Sequence, residues 1–179
     1  MPDTHPTDVP NATVRPATEA DLPAINAIYN HEVAEGVATW ELDPWTEERR
    51  QLWFRDRDAD EPVLVATIGD QLVGFAYLTR YRGRRGYRFT RENTVFVHPD
   101  HQRRAIGRLL LTALIEAARH LNLRTLLAWI DEDNVASIRL HRALGYEQIG
   151  RESETGYKLG RWRSAAELQL MLERPTPTD

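Results

Sequence analysis

His101-Gln-Arg-Arg-Ala-Ile-Gly-Arg108 stands between a short apolar run, Thr94-Val-Phe-Val97, and the most regular apolar repeat in the chain. Leu110, Ala113, Leu114, Ala117 and Leu121 recur at helical spacing and predict a long helix beginning near Gly107 with a broad apolar face. The run at 94–97 reads as a strand, closed by His98-Pro99-Asp100. A turn feeding a helix start leaves unpaired backbone N–H groups and about half a positive charge, which suits a phosphate. Gly107 lets the backbone come close to such a ligand, and Arg103, Arg104 and Arg108 add fork-shaped donors. Taken alone, an ordinary helix-capping turn explains the same residues.

Working outward, Thr125–Ile130 predicts a buried strand, and Val135–Leu144 a helix stopped by Gly145. Tyr146–Ile149 follows as a short strand, and the alternation in Ala166–Leu172 predicts a last strand that closes the sheet. Upstream, Val14–Pro16 is a strand candidate. Thr18 offers a helix cap before Leu22, Ile25, Tyr29 and Val33, with Pro23 in or near the first turn, and Thr46–Phe54 predicts a second short helix. Val63–Ile68 and Leu72–Leu78, separated by Gly69-Asp-Gln71, read as a hairpin. Strands in succession followed by strand–helix–strand–helix–strand predict an α/β fold, a central sheet of mixed direction flanked by helices. One domain is expected over 13–174. Residues 1–12 and 175–179, polar and proline-bearing, are expected to be flexible tails.

Composition narrows the function. With 179 residues, 41% hydrophobic and 28% charged, the chain has enough apolar material for a packed core. No apolar stretch approaches the ~20 residues that span a bilayer. The absence of cysteine excludes a disulfide scaffold, a thiolate metal site and a cysteine nucleophile, and it fits a reducing cytoplasm. His5, His31, His98, His101, His120 and His141 show no ligand spacing with carboxylates, so no metal is expected. The net charge of −4 conceals a basic strip. Between Arg80 and Arg108 stand nine arginines against Glu92 and Asp100, which leaves that strip at +7 and the remainder of the chain at −11. A local basic strip on an acidic protein points to a small anionic ligand more than to nucleic acid, although an exposed, solvated loop accounts for six of the arginines equally well.

Further along stands Asp133-Asn-Val-Ala-Ser-Ile-Arg-Leu-His-Arg-Ala-Leu-Gly-Tyr146. Strand, glutamine-led loop with small residues, long helix, strand, N-x-x-S, helix and G-Y, in that order, resemble the GNAT acetyltransferase superfamily. Glu92-Asn-Thr-Val-Phe-Val97, His101-Gln-Arg103, Leu140-His-Arg-Ala-Leu-Gly-Tyr146 and Gly156-Tyr-Lys-Leu-Gly-Arg-Trp162 resemble, more narrowly, the phosphinothricin and methionine sulfone/sulfoximine N-acetyltransferases. The similarity runs from Val14 to Leu172. It implies the GNAT fold and an enzyme that moves the acetyl group of acetyl-CoA to the amine of a small amino acid or analogue. It places the coenzyme's diphosphate on Arg103, Arg104, Ala105, Ile106, Gly107 and Arg108, its pantetheine along Val95, Phe96 and Val97, and its far end near Asn134. Ala105 stands where the family pattern has its first loop glycine; a negative φ there would be tolerated, a positive one would weaken the site. The resemblance also implies a homodimer.

Acetyl transfer to an amine needs a base for the ammonium proton and stabilisation of the developing oxyanion and the departing thiolate. An amine of pKa about 10.4 is protonated by roughly three units at neutral pH, so a carboxylate raised by burial is a suitable base. The resemblance assigns this to Glu92, at the start of the strand before the anion turn. Without it, Glu92 would read as a solvated edge residue. His141 lies seven residues after Asn134 on the same helix face and is the second catalytic candidate, set against an ordinary surface histidine; an imidazole of pKa near 6.5 can give or take a proton. For the acceptor, Arg82 is expected to clamp a carboxylate beside Gly83 and Arg84, with Asn93 and Thr94 adding hydrogen bonds. Tyr87, Lys158 and Trp162 are weaker candidates, Tyr29-Asn-His-Glu32 borders the pocket, and Trp40, Trp45 and Trp53 are assigned to the core. Other acceptors (an antibiotic, a protein N-terminus, a polyamine) and a non-enzymatic nucleic-acid-binding module remain alternatives. The arginine-rich loop would repel polyamines.

Overall fold

Val63–Ile68 (β2) is almost wholly buried and sits inside a seven-stranded sheet, which the computed structural model describes, with its helices, over residues 11–173. Around it lie Ala12–Pro16 (β1), Gln71–Arg80 (β3), Thr90–Val97 (β4), Thr125–Asp131 (β5), Glu147–Lys158 (β6) and Arg161–Met171 (β7). The spatial order is β1-β2-β3-β4-β5-β7-β6; β4 and β5 run parallel and every other neighbouring pair antiparallel. The helices are Leu22–Glu35 (α1), Glu47–Arg55 (α2), Ile106–His120 (α3) and Val135–Ala143 (α4). The expected mixed sheet is present. Residues 1–10 and 174–179, which hold most of the two expected tails, lie outside the described residues.

Local chemistry explains the ends. Thr18 donates from its N–H and its Oγ1 to Asp21, which closes the turn before α1 and leaves Pro23 in the first helical turn, where no N–H is needed. The Oγ1 of Thr46 accepts from Arg49 N–H and caps α2. The sheet buries both faces: Leu22, Ile25, Ile28 and Tyr29 of α1 cover Val65, Phe75 and Phe96, while Leu110, Leu111 and Leu114 of α3 cover Ala66, Ala76 and Leu126 on the other. Among the described residues no helix is long and apolar enough to cross a membrane.

Three local expectations change. The buried face of α3 is centred on Leu110, Leu111, Leu114, Ile115 and Ala118, with Ala113 and Ala117 only half-buried. Two alanines among leucines carry little burial free energy, so the larger side chains set the rotation. β6 runs twelve residues instead of four and forms a long hairpin with β7, masked in the sequence by two register shifts and a polar surface. β4 begins at Thr90, so Glu92 is its third residue, paired with Thr79 on one side and Leu127 on the other.

That last pairing positions everything else. β4 and β5 are bonded only at Thr90, Arg91 and Glu92, yet β4 stays on β3 to Val97 and β5 stays on β7 to Asp131. Beyond Glu92 the two parallel strands part. The edges of Asn93–Val97 and Ala128–Asp131 therefore face a gap that leads toward the N-terminus of α3.

Candidate active site

The mouth of the gap is the turn from Pro99 into α3. Arg103 and Ala105 both have φ of 59°, in the left-handed region, with Arg104 between them. Alternation of this kind turns successive N–H groups to one side and makes a concavity suited to an anion. No side chain caps the helix, and its first turn carries no acidic residue. The first intrahelical bond is Leu109 N–H to Ala105 C=O, so the N–H groups of Ile106, Gly107 and Arg108 precede the ladder. A cavity of about 290 Å³ opens here, lined by Val95, Phe96, Val97, Arg103, Ala105, Ile106, Gly107, Arg108 and Asn134, among others. Arg104 does not line it; its guanidinium lies 3.4 Å from His101 Nδ1.

Ala105 takes the positive φ that the sequence left open. A left-handed alanine costs about 1–2 kcal/mol, part of which a glycine returns in unfolded-chain entropy. Ala105→Gly is therefore expected to stabilise the fold by about 1 kcal/mol, a melting-temperature rise of roughly 2–4 °C, without weakening coenzyme binding. Thermal unfolding and titration calorimetry check the two parts.

A second cavity, of about 200 Å³, continues inward and shares Ala38, Val95, Phe96, Asn134 and Ser137 with the first. Glu92, Thr94 and Tyr77 line it from the sheet, Trp129 and Asp131 from β5, and His141 from α4. Burial raises the Glu92 carboxyl above the ordinary carboxylate range, and no other cause contributes. Asn134 caps α4 through Oδ1, which accepts Ser137 N–H at 3.1 Å, and it lines both cavities.

His141 differs from the expected proton carrier. It is 3% exposed, and burial, partly offset by the Ser137 carbonyl, holds its pKa down at about 4. Nδ1 lies 2.8 Å from Ser137 C=O, which can only accept, so Nδ1 carries the proton and Nε2 is bare. Nε2 then accepts from Asn93 Nδ2 at 2.9 Å, and Asn93 Oδ1 accepts from the Tyr146 hydroxyl at 2.8 Å. At neutral pH the imidazole is uncharged and locked by hydrogen bonds. The side chain of Asn93, expected on the acceptor, is held in this same chain of bonds.

The substrate arginines fall elsewhere. Arg82, Gly83 and Arg84 line a separate arginine-rich cavity of about 170 Å³ with Tyr87, not the one that holds Glu92. Arg82 lies 4.7 Å over the Tyr81 ring, and Tyr81 stacks on Trp129 at 5.5 Å, so the guanidinium is one aromatic ring removed from the inner cavity. Exposed arginines follow solvent and aromatic faces, and chain proximity to Glu92 did not bring them to its carboxylate. Trp162 is exposed on the β6–β7 hairpin, while Lys158 is buried and donates to Glu32 C=O and Thr39 C=O. Trp45 and Trp53 pack against the α1 core as expected. Trp40 does not: its Nε1 donates to Asp131 at 2.8 Å and it lines a third cavity. Trp40, Trp129 and Tyr77 carried no usable sequence signal, whereas Ser137 and Tyr146 stood inside motifs already noted.

The family model of the Acetyltransferase (GNAT) family matches residues 25–146. The chain belongs to the GNAT acetyltransferases. Membership makes it an enzyme and disfavours the nucleic-acid-binding module. The chain is 37% identical over 168 residues to the L-methionine sulfoximine/L-methionine sulfone acetyltransferase of Salmonella typhimurium, covering 93% of this chain and 98% of that protein. It is 42% identical to the phosphinothricin N-acetyltransferase of Alcaligenes faecalis, covering 91% of this chain and 82% of the relative. Among solved structures, a phosphinothricin acetyltransferase of the GNAT superfamily from Sinorhizobium meliloti, in complex with acetyl-CoA, superposes with a TM-score of 0.88 at 37% identity, covering 92% and 93% of the two chains.

Proposed function

We propose that this GNAT acetyltransferase moves the acetyl group of acetyl-CoA to the primary amine of a small amino acid or analogue of the methionine sulfone, methionine sulfoximine or phosphinothricin type. The observation that carries this reading is the parting of β4 and β5, which joins the anion-binding turn to the cavity of Glu92. The N–H groups of Ile106, Gly107 and Arg108, with Arg103, hold the diphosphate; Asn93–Val97 and Asn134 hold the pantetheine arm with main-chain and amide groups. When bound, the coenzyme supplies an activated acetyl thioester.

Glu92 takes the ammonium proton of the acceptor at a carboxylate oxygen, for which its burial-raised pKa suits it. His141 serves as a positioning residue: through Nε2 it holds Asn93, and with it the strand edge beside Glu92. Thr94 faces the bound amine, and Arg82, beside Gly83 and Arg84, meets the acceptor carboxylate once its exposed side chain swings off the Tyr81 ring toward the inner cavity. The site works as part of a cytoplasmic homodimer, a reading supported by the family resemblance and, for the compartment, by a chain without cysteine.

The test is release of free thiol from acetyl-CoA with methionine sulfone, methionine sulfoximine or phosphinothricin as acceptor. Turnover with at least one is expected, and Arg82→Ala is expected to raise the Michaelis constant of the acceptor more than tenfold while leaving that of acetyl-CoA alone. Absence of acceptor-dependent thiol with all three overturns the assignment.

A further inference from the structure

Of the 23 basic side chains in this sequence one is a lysine, Lys158, and it is 3% exposed. It ends β6, and its Nζ donates to Thr39 C=O at 2.7 Å and to Glu32 C=O at 2.9 Å. Both partners are main-chain oxygens, one in the last turn of α1 and the other in the irregular segment that follows it. Glu32 C=O also accepts Gly36 N–H at 3.1 Å, where the helix ends. A buried ammonium is costly to desolvate, and each charge-assisted bond it makes is about twice as strong as a neutral one. Its compact head, with donors free to rotate, reaches carbonyls on two different elements, which a planar guanidinium fork suits less well.

Residues 36–40 belong to no helix or strand, so no ladder of main-chain bonds holds them. Side chains do so instead. Glu32 Oε2 accepts Ala38 N–H at 3.3 Å, Trp40 Nε1 donates to Asp131 at 2.8 Å, and Lys158 takes the Thr39 carbonyl between them. Ala38 lines both the outer cavity and the inner one, and Thr39 lines the inner one. The segment therefore roofs the junction of the outer cavity with that of Glu92. Lys158 itself lines neither cavity, so it can act on the reaction only through this roof.

We propose that Lys158 is a positioning residue for acetyl transfer: its ammonium pins the roof of residues 36–40 to the end of α1 and so fixes the width of the junction in which thioester and amine meet. The inference rests on the transfer reaction assigned above. Transfer needs the reacting atoms about 3–3.5 Å apart, and a displacement of about 1 Å set far from the chemistry costs on the order of 10²-fold. Without the ammonium, Thr39 C=O loses its buried donor and the roof relaxes toward water. The diphosphate is assigned to a different element, the turn before α3, so coenzyme binding is expected to survive.

The experiment measures steady-state thiol release by the wild type and Lys158→Met with an acceptor that the wild type uses. Lys158→Met is expected to lower kcat about tenfold or more, with KM for acetyl-CoA within about threefold of wild type, a split that a general loss of stability does not produce. The chain has no cysteine, so Lys158→Cys adds a single thiol. Alkylated in denaturant with 2-bromoethylamine and refolded, this variant regains an ammonium at the reach of lysine; alkylated with 1-iodopropane, it carries an apolar chain of the same length. The first product is expected to recover kcat to within about threefold of wild type refolded in the same way, and the second to stay low. Equal kcat in the two alkylated proteins, or a wild-type kcat in Lys158→Met, overturns the positioning role while thiol release by the wild type still upholds the reaction. A raised KM for acetyl-CoA with kcat unchanged overturns it too. No acceptor-dependent thiol from the wild type overturns the reaction and the positioning role together. Should Lys158→Met fail to fold, the alkylated pair decides.

Discussion

Gly107→Asp is expected to raise the Michaelis constant for acetyl-CoA by well over tenfold while the protein stays folded. Gly107 is the second residue of α3, inside the turn whose free N–H groups line the outer cavity. A Cβ there meets Leu140 Cδ2 at 3.2 Å and Val97 Cγ2 at 3.6 Å, a contact that a leucine end can yield to by a few tenths of an ångström. An acidic side chain near a helix N-terminus is favourable for the helix itself, by about 0.3–1 kcal/mol. The substitution therefore tolerates folding but places a like charge at the proposed diphosphate site, and competes for the same N–H groups. Gly107→Ala separates the effects, because it keeps the steric contact and omits the charge. Steady-state kinetics of both variants, with thermal unfolding alongside, check the expectation: a large rise for Asp, a small one for Ala, and similar melting temperatures. An unchanged constant for Asp would remove this turn from the coenzyme site.

Glu92→Gln is the second large effect. Loss of a general base costs about 10²–10⁴-fold in rate, so kcat is expected to fall by that order with little change in the constant for acetyl-CoA. The pH profile carries the sign. Burial raises the Glu92 pKa, so the carboxylate is present only above a pH higher than the usual carboxylate range, about 4.3. The acid limb of kcat/KM in the wild type therefore lies above that value, and the variant loses it. His141, held near 4, adds no inflection at the ordinary histidine value of about 6.5. Stability runs the other way. A carboxyl whose folded pKa is raised favours the fold when protonated, and this contribution is lost as the pH rises through the unfolded and then the folded pKa. At neutral pH the glutamine variant is thus expected to melt no lower than the wild type. Near-wild-type turnover in Glu92→Gln would end the general-base assignment.

The secondary-structure plan was largely legible because it is written in local signals. Thr46 as a cap, Gly69-Asp70 between two apolar runs and the apolar repeat of α3 act over a few residues, and each element appears where the pattern predicts it. The polar hairpin of β6 and β7 was only half legible, since exposed strands with register shifts lack clean alternation. In the candidate site, Glu92, Asn134 and the 103–108 turn are brought to one continuous pair of cavities, with only Arg104 turned aside. Arg82 is not, because the loop carrying it is held by aromatic stacking that no spacing rule encodes.

By itself the sequence determined the family motifs, the turn before α3 and the order of strands and helices, because turn chemistry, helical period and glycine placement are local properties of the chain. The tertiary structure alone decided where β4 leaves β5, that His141 is neutral, that Ala105 is left-handed, and that Trp40 belongs to a cavity. Each of these depends on groups far apart in the chain, such as Trp40 on Asp131 and Lys158 on Glu32. Burial, which shifts a proton equilibrium, exists only once those segments have packed together.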